Sequence, residues 1–497
     1  MSNNIQLAPG ADCATGAPLC PPGKVRDLTQ PRDTTPDLGA LRARYEACGQ
    51  RSVVEALERL GDAARARLAE QLACVDPAAL ARAFAGARRL AEIPRERLEP
   101  PEVERLPEHG GDAALRERAR RRGEELLGEG AVAALVVAGG QGSRLGFDGP
   151  KGLFPLGPVS QRSLFEQQAQ KLRGAARRYG RPVPWLLMTS SDTDRACREA
   201  FDAAGRYGLP AADVRFFTQG SMPAVDFEGQ LLLEAPDRLA LAPDGHGGVF
   251  PALAASGLLP ELEARGIRLL SYYQVDNPLV TLVDPVFIGL HDLRGAEMSC
   301  KVLAKRGPDE RAGTVGRLGG RTRVIEYIEV DPWHRDQRDP RGELVYWAGS
   351  IGIHVLATDF VRRVAADAER VLPYHASAKA IPCQGPEGRR VVPEAPNGYK
   401  LERFVFDALP EARRVALLEV RRHEEYSPIK NRTGGESPCT ARRDLVASYH
   451  RRLRAAGVRH VPEDAWIELD ESRSEASEGI ESGRSPHGIL FGNRGIA

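Results

Sequence analysis

The stretch AVAALVVAGGQGSRLGFDGPKGLFPL, residues 131–156, decides the fold. Its first eight residues, Ala131 to Ala138, are apolar and partly β-branched, with no polar alternation. That pattern predicts a strand buried on both faces. Gly139, Gly140 and Gly142 then break the run into a turn where backbone can approach a partner closely. Arg144 and Lys151 follow, Lys151 standing between Pro150 and Gly152. A buried strand feeding a glycine turn and two cations is the outline of a phosphate site. Backbone N–H groups take the oxygens, and Arg and Lys meet the charge. A dinucleotide fingerprint needs a third glycine where Leu145 stands, and a P-loop needs a Gly-Lys pair where Pro150 precedes Lys151. A plain tight turn would require neither cation.

Outward from this stretch, strands and helices alternate. SLFEQQAQKLRGAARRYG opens with Ser163 and Glu166, a capping box on a helix. WLLMTS (185–190), VRFFTQG (214–220) and LLSYYQVDNPLV (269–280) read as further strands, and Asp284-Pro285 opens another helix. Gly319-Gly320 predicts a hairpin turn, VYWAGSIGIHVLATDF (345–360) a strand entering a helix, and VALLEV (415–420) a late strand. TARRDLVASYHRRLRAAG is the one clear helix of the C-terminal portion. The order implies right-handed βαβ units and an α/β fold with a mixed, mostly parallel, Rossmann-like sheet. Ligands of such sheets sit beyond the carboxyl ends of the strands. Gly139–Gly142, Gln219 and Asp276 all fall at such ends, so one cleft collects them.

Upstream, residues 1–40 lack periodicity and read as a flexible lead-in. Residues 41–125 form an Ala-, Arg-, Leu- and Glu-rich helical domain, with Pro94, Pro100, Pro101 and Pro107 as a stiff connector. Residues 126–420 make the catalytic domain, and residues 421–497 a C-terminal domain and tail. Lys+Arg is 69 against Asp+Glu 68, which argues against a nucleic-acid binder. No apolar run approaches a membrane span, no secretory signal is evident, and the eight cysteines are dispersed without C-x-x-C. The expected compartment is the cytoplasm.

AGGQGSRLG followed by PKG resembles the signature of sugar nucleotidyltransferases. FFTQGSMPA (216–224), APDGHGG (242–248), VDNPLV (275–280), EY (326–327), PNGYKLERFVFD (396–407) and YSPIKN (426–431) follow in the order of the eukaryotic-type UDP-N-acetylhexosamine and UDP-sugar pyrophosphorylases. The likeness spans roughly residues 125–460. It implies a nucleotide-diphospho-sugar transferase fold, UTP and a sugar 1-phosphate as reactants, and Mg²⁺ (or Mn²⁺) as cofactor. It also implies that Val137, Ala138, Gly139 and Gly140 cradle the nucleotide while Lys151 faces its phosphates. Gln219 and Gly245 match the uracil and ribose contacts, and Asp276 the metal-binding acid at the phosphates. Lys400 and Lys430 match lysines on UTP and on the sugar-linked phosphate, with Arg144, Lys151 and Lys430 as the catalytic cations. Glu326 and Tyr327 match the pair holding the sugar ring. Two places depart from the N-acetylhexosamine pattern. His246 stands where Asn contacts the sugar, as in UDP-glucose enzymes, and NAGN is here WAGS, with Trp347 and Ser350. The sugar is therefore open between N-acetylglucosamine and an unsubstituted hexose. A catalytically silent nucleotide-sugar binder is the alternative of another class. His334, His375, His423, His450 and His460 lack metal spacing and are expected to be structural.

Overall fold

A computed structural model describes residues 36–88, 98–327, 329–385, 389–458, 461–462, 464–472 and 489–492. Pro94, His460 and most of the expected lead-in and tail lie outside the described residues. Strand β1 is Val132–Val137, the apolar run that precedes the glycine turn. It lies between β2 (Trp185–Thr189) and, on its other side, β4 (Leu269–Gln274), while β3 (Val214–Thr218) extends the sheet beyond β2. All four run parallel. Their side chains alternate between two cores. Val132, Ala134 and Val136 point into one, Ala133 and Leu135 into the other. That is why the sequence shows an unbroken apolar run rather than alternation.

Strand β5 (Met298–Ala304), the hairpin β6 (Thr314–Leu318) and β7 (Arg321–Ile325), β8 (Ala348–Ala357) and β9 (Val415–Glu419) complete the ten-stranded sheet with a short strand at Leu98–Glu99. Strand β8 runs antiparallel to both β4 and β5, whereas β5 and β9 pair in parallel. The carboxyl ends of β1 to β5 thus share one edge with the amino end of β8. Gly319 and Gly320 make the predicted hairpin turn, both at positive φ (59° and 77°).

Four short helices, α1 (Leu38–Ala47), α2 (Arg51–Arg59), α3 (Asp62–Ala73) and α4 (Pro77–Ala87), precede the sheet. Their apolar faces close on Met222, Val225, Leu231, Leu239 and Leu401, so they share a core with segments far along the chain. Helix α5 (Ala113–Glu129) crosses the expected boundary at 125/126 and packs on the sheet, not on α1–α4. It meets α7 (Pro285–Leu293) through Gly123 and Gly289. A Cβ on Gly123 would stand 1.9 Å from Pro285 O, and one on Gly289 1.8 Å from Ala119 O. Helix α6 (Leu164–Tyr179) has only half of the expected capping box. Ser163 Oγ accepts from the Glu166 N–H, but the Glu166 carboxylate takes Arg162 instead. The full reciprocal box occurs at Ser437 and Thr440, opening α8 (Pro438–Ala455).

Candidate active site

The turn after β1 is built from backbone. The Ala138 N–H donates to Met188 O at 2.8 Å, and Gly139 O accepts from Ser190 Oγ at 2.9 Å. A Cβ on Gly139 would lie 2.7 Å from Gln219 Oε1 and 3.2 Å from the Ser190 backbone nitrogen, so any side chain there would push the Gln219 amide aside. The Lys151 N–H donates to Gly140 O at 2.9 Å and the Gly142 N–H to Gly149 O at 2.8 Å. These two bonds fold the loop back on itself and bring Lys151 under Gly140. The N–H groups of Gly139, Gly140 and Gln141 have no acceptor among the described residues. They are left to serve a ligand's oxygens.

Lys151 Nζ lies 3.1 Å from Asp276 Oδ2, the two side chains only 16% and 12% exposed. Residues 125 positions apart are thus joined because β1 and β4 are neighbours. Asp276 Oδ1 accepts no bond among the described residues. Lys430 sits in the same field. Its ammonium reaches Tyr426 Oη at 3.3 Å and Glu436 at 3.4 Å. Burial works against its charge, but Tyr426, Glu436 and Asp276 outweigh that and hold its pKa above the ordinary lysine value. Asn277, not singled out in the sequence, fastens this loop. Its Nδ2 donates to Glu425 O at 2.7 Å and its Oδ1 accepts from the Ser427 N–H at 3.1 Å. Glu425 in turn pairs with the fully buried Lys301 at 2.7 Å, and Lys301 with Asp284 at 2.8 Å. The segment carrying Lys430 is therefore bolted to the strand end carrying Asp276.

The Gln219 N–H donates to Thr189 O at 2.9 Å, turning its amide against the glycine loop. Gly245 has φ +87°, and a Cβ there would stand 2.4 Å from Arg403 O. Between them Asp244 is buried with Oδ1 unpartnered among the described residues. Burial, only partly offset by Arg403, pushes its carboxyl up to about 7.

His246 Nδ1 accepts from the Val405 N–H at 3.1 Å, which leaves Nε2 to carry the proton. Phe404 stacks with both His246 (centroids 5.2 Å) and His375 (4.3 Å). His375, expected among the structural histidines, stands beside Phe404 and pairs with Asp407 at 2.8 Å. Glu326 is half-buried nearby; burial first, then Glu329, raises its pKa. Tyr327 beside it is 45% exposed. Ser350 Oγ faces Cys300 Sγ at 3.5 Å at the start of β8. Trp347 serves a different contact, with the Arg105 guanidinium 3.9 Å over its ring. Of the two changed positions, Ser350 thus stands on β8 beside Cys300, and its N–H donates to Gly313 O at 2.8 Å. Two expected cations stand apart. Arg144 is exposed on the 3₁₀ turn Ser143–Leu145. Lys400 lies opposite Ser377 on a separate three-stranded sheet, and neither side chain has a hydrogen-bond or ion-pair partner among the described residues.

Residues 79–480 match the family described as UTP–glucose-1-phosphate uridylyltransferase. The chain belongs to that family. The chain is 38% identical over 455 residues to "UDP-N-acetylhexosamine pyrophosphorylase-like protein 1" of Xenopus tropicalis, covering 88% of this chain and 89% of that protein. It is 34% identical to the UDP-N-acetylglucosamine pyrophosphorylase of Saccharomyces cerevisiae, over 76% and 80% of the two chains. The crystal structure of the uridine diphosphate N-acetylglucosamine pyrophosphorylase from Trypanosoma brucei in complex with inhibitor superposes with a TM-score of 0.72 at 30% identity, covering 86% of this chain and 87% of that one. The family's α/β fold is the one the glycine turn and the strand order foretold. No helix among the described residues is long and apolar enough to cross a membrane.

Proposed function

We propose that the protein joins UTP to a sugar 1-phosphate, N-acetylglucosamine 1-phosphate foremost, to give a UDP-sugar and pyrophosphate. The observation that carries this reading is the Lys151–Asp276 pair at 3.1 Å, beneath a glycine turn and within the field of Lys430. Both reactants are anions, and the attacking sugar phosphate is already ionised. The site therefore needs alignment and charge neutralisation, not a nucleophile or a base. In this reading the N–H groups of Gly139 and Gly140 take phosphate oxygens, and Gln219 and Gly245 hold the uracil and ribose. An amide suits uracil, which offers both a donor and an acceptor. Lys151 lies against the triphosphate and Lys430 against the sugar-linked phosphate, with Arg144 and Lys400 approaching from the rim. Glu326, Tyr327, His246 and Ser350 fit the sugar.

No cluster of three or more His, Cys, Asp or Glu side chains that could cage a metal occurs among the described residues. Magnesium does not need one, since it is commonly held by one or two carboxylates plus substrate phosphates. Asp276 fits, because Oδ1 is open while Oδ2 is tied to Lys151. Bound there, Mg²⁺ (or Mn²⁺) would neutralise charge on the phosphate oxygens. The dispersed cysteines without C-x-x-C suit a cytoplasmic enzyme.

A second sugar has specific support. His246 offers one donor where an amide would offer donor and acceptor, and Ser350 is shorter than Asn. Glucose and galactose 1-phosphate should therefore be used measurably, at roughly 10–200-fold lower kcat/KM. Release of pyrophosphate from UTP, with a panel of sugar 1-phosphates and Mg²⁺, tests the whole reading. Activity should vanish with EDTA and return with Mg²⁺ or Mn²⁺. Absence of pyrophosphate with every sugar phosphate would leave a silent binding protein.

A further inference from the structure

Gln274 ends β4, two positions before Asp276, and its side chain is half-buried. On one side it pairs with Val137, the last residue of β1 and one of the expected nucleotide contacts. On the other side lies β8. Tyr272 pairs there with His354, and beyond that pair β8 bulges: Cys300 of β5 pairs with His354, but Val302 with Ser350. Gly352 lies in the bulge at φ +68°, a conformation that strains residues with a Cβ. A Cβ on Gly352 would stand 3.1 Å from Gln274 Nε2 and 3.5 Å from its Cδ, so the amide rests on bare backbone. Neither Nε2 nor Oε1 of Gln274 has a hydrogen-bond partner among the described residues. The surroundings of this amide belong to one side of the sheet. Val137, Tyr272 and Cys300 pack on the same core. Ser350 Oγ stands 3.5 Å from Cys300 Sγ, and His246 lies 5.8 Å from the ring of Phe406, which packs on that core too.

Resting on the sugar-site reading above, we infer that Gln274 is a specificity-determining residue whose Nε2–H donates to the carbonyl oxygen of a 2-acylamino substituent on the sugar. It stands between the strand that carries the nucleotide turn and the two residues read as sugar contacts, His246 and Ser350. Neither of those brings an amide to this face. His246 has one donor left, because Nδ1 already accepts the Val405 N–H, and Ser350 has a single short hydroxyl. Gln274 supplies the missing amide from β4, and no protein contact must break for it to do so. Either end of a free amide can be turned outward, and an acyl carbonyl selects the Nε2 end. That carbonyl projects beyond the place a 2-hydroxyl occupies, so a donor set for it finds no acceptor on an unsubstituted hexose. Water then serves the half-buried amide instead, and the penalty is modest. Selection for the acylated sugar is therefore graded rather than absolute.

The test is calorimetric binding of UDP-N-acetylglucosamine and of UDP-glucose to the full-length protein, with Mg²⁺ and without turnover. Gln274→Met keeps the length of the side chain and removes the amide, and Gln274→Ala removes both. In each variant the ratio of Kd values, UDP-glucose over UDP-N-acetylglucosamine, should fall about 3–10-fold from that of the wild type, the size of one neutral hydrogen bond. The preference in kcat/KM for N-acetylglucosamine 1-phosphate over glucose 1-phosphate should fall by a similar factor. A merely structural role would weaken both ligands alike and leave the two ratios where they were. Ratios unchanged in both variants therefore overturn the inference. So does an equal loss for the two UDP-sugars, which would place the amide on the ribose or a phosphate. A wild type that binds neither UDP-sugar overturns the uridylyltransferase reading, and the inference with it, before any variant is made.

Discussion

Asp276 stands just past its strand with a carboxylate that holds Lys151 on one oxygen and accepts no bond on the other among the described residues. Replacing it by Asn should keep the fold, because a strand-end carboxylate adds little to the core. The rate should drop by about 10²–10³, the loss typical of one preorganised charge contact. Steady-state kinetics beside a thermal melt checks both halves. Lys151→Ala and Lys430→Ala should lower kcat more than they raise KM for the sugar phosphate, as expected of charges that matter most as the leaving oxygens develop charge. His246→Asn should move the ratio of kcat/KM values toward the N-acetyl sugar. Asp244 makes a prediction about stability instead. Its carboxyl titrates at about 7 in the fold and near 3.8 unfolded, so the native state binds the extra proton between those values. Stability contributed by that proton is complete below about pH 4 and is lost as pH rises through 7. Asp244→Asn should therefore flatten the decline of unfolding free energy between pH 5 and 8, by on the order of 3 kcal/mol at most. Denaturant melts at the two pH values read it directly.

At the scale of elements, two attachments decide where the cations stand. Asn277 holds both ends of its amide on the 425–427 backbone, so Asn277→Ala would leave a buried N–H and a carbonyl unpaired and release the Lys430 loop. Its effect on kcat should be non-additive with Lys430→Ala, which a double-mutant cycle measures. Gly289→Ala should be worse for stability than an ordinary surface change. Its methyl has nowhere to go but into the Ala119 carbonyl, an overpacking that costs about 1–3 kcal/mol or more. The sequence made the strands legible through unbroken apolar runs, and the glycine turn, Gln219 and Asp276 through their place at strand ends. Asn277 escaped because its partners lie 148 and 150 residues away, and a strand-end Asn reads equally well as a local turn. His375 escaped for a similar reason. Nothing in its own segment reveals that Phe404 and Asp407 will be beside it. Trp347 looked like a sugar-side change and is a cation–π partner of Arg105, a contact between residues that no local pattern joins.

Across the whole molecule, α1–α4 are not a detachable module. A chain shortened to begin at residue 98 would leave Met222, Val225, Leu231, Leu239 and Leu401 facing water. Such a chain should be insoluble or melt well below the full protein, because its exposed apolar face adjoins the wall that carries Gly245 and Lys400. Full solubility and an unchanged melting temperature would show that the shared core is dispensable. The direction of β8 has a different kind of consequence. The nucleotide half of the cleft is made from carboxyl ends of parallel strands, whereas Ser350 enters from the amino end of the one strand that runs against β4 and β5. The connection between β7 and β8 can therefore lengthen, shorten or change its composition without disturbing the turn at Gly139 or the pair at Lys151. In the proposed reading, that connection and the head of β8 can change one part of the sugar wall while the triphosphate contacts stay, with His246 held on a separate segment.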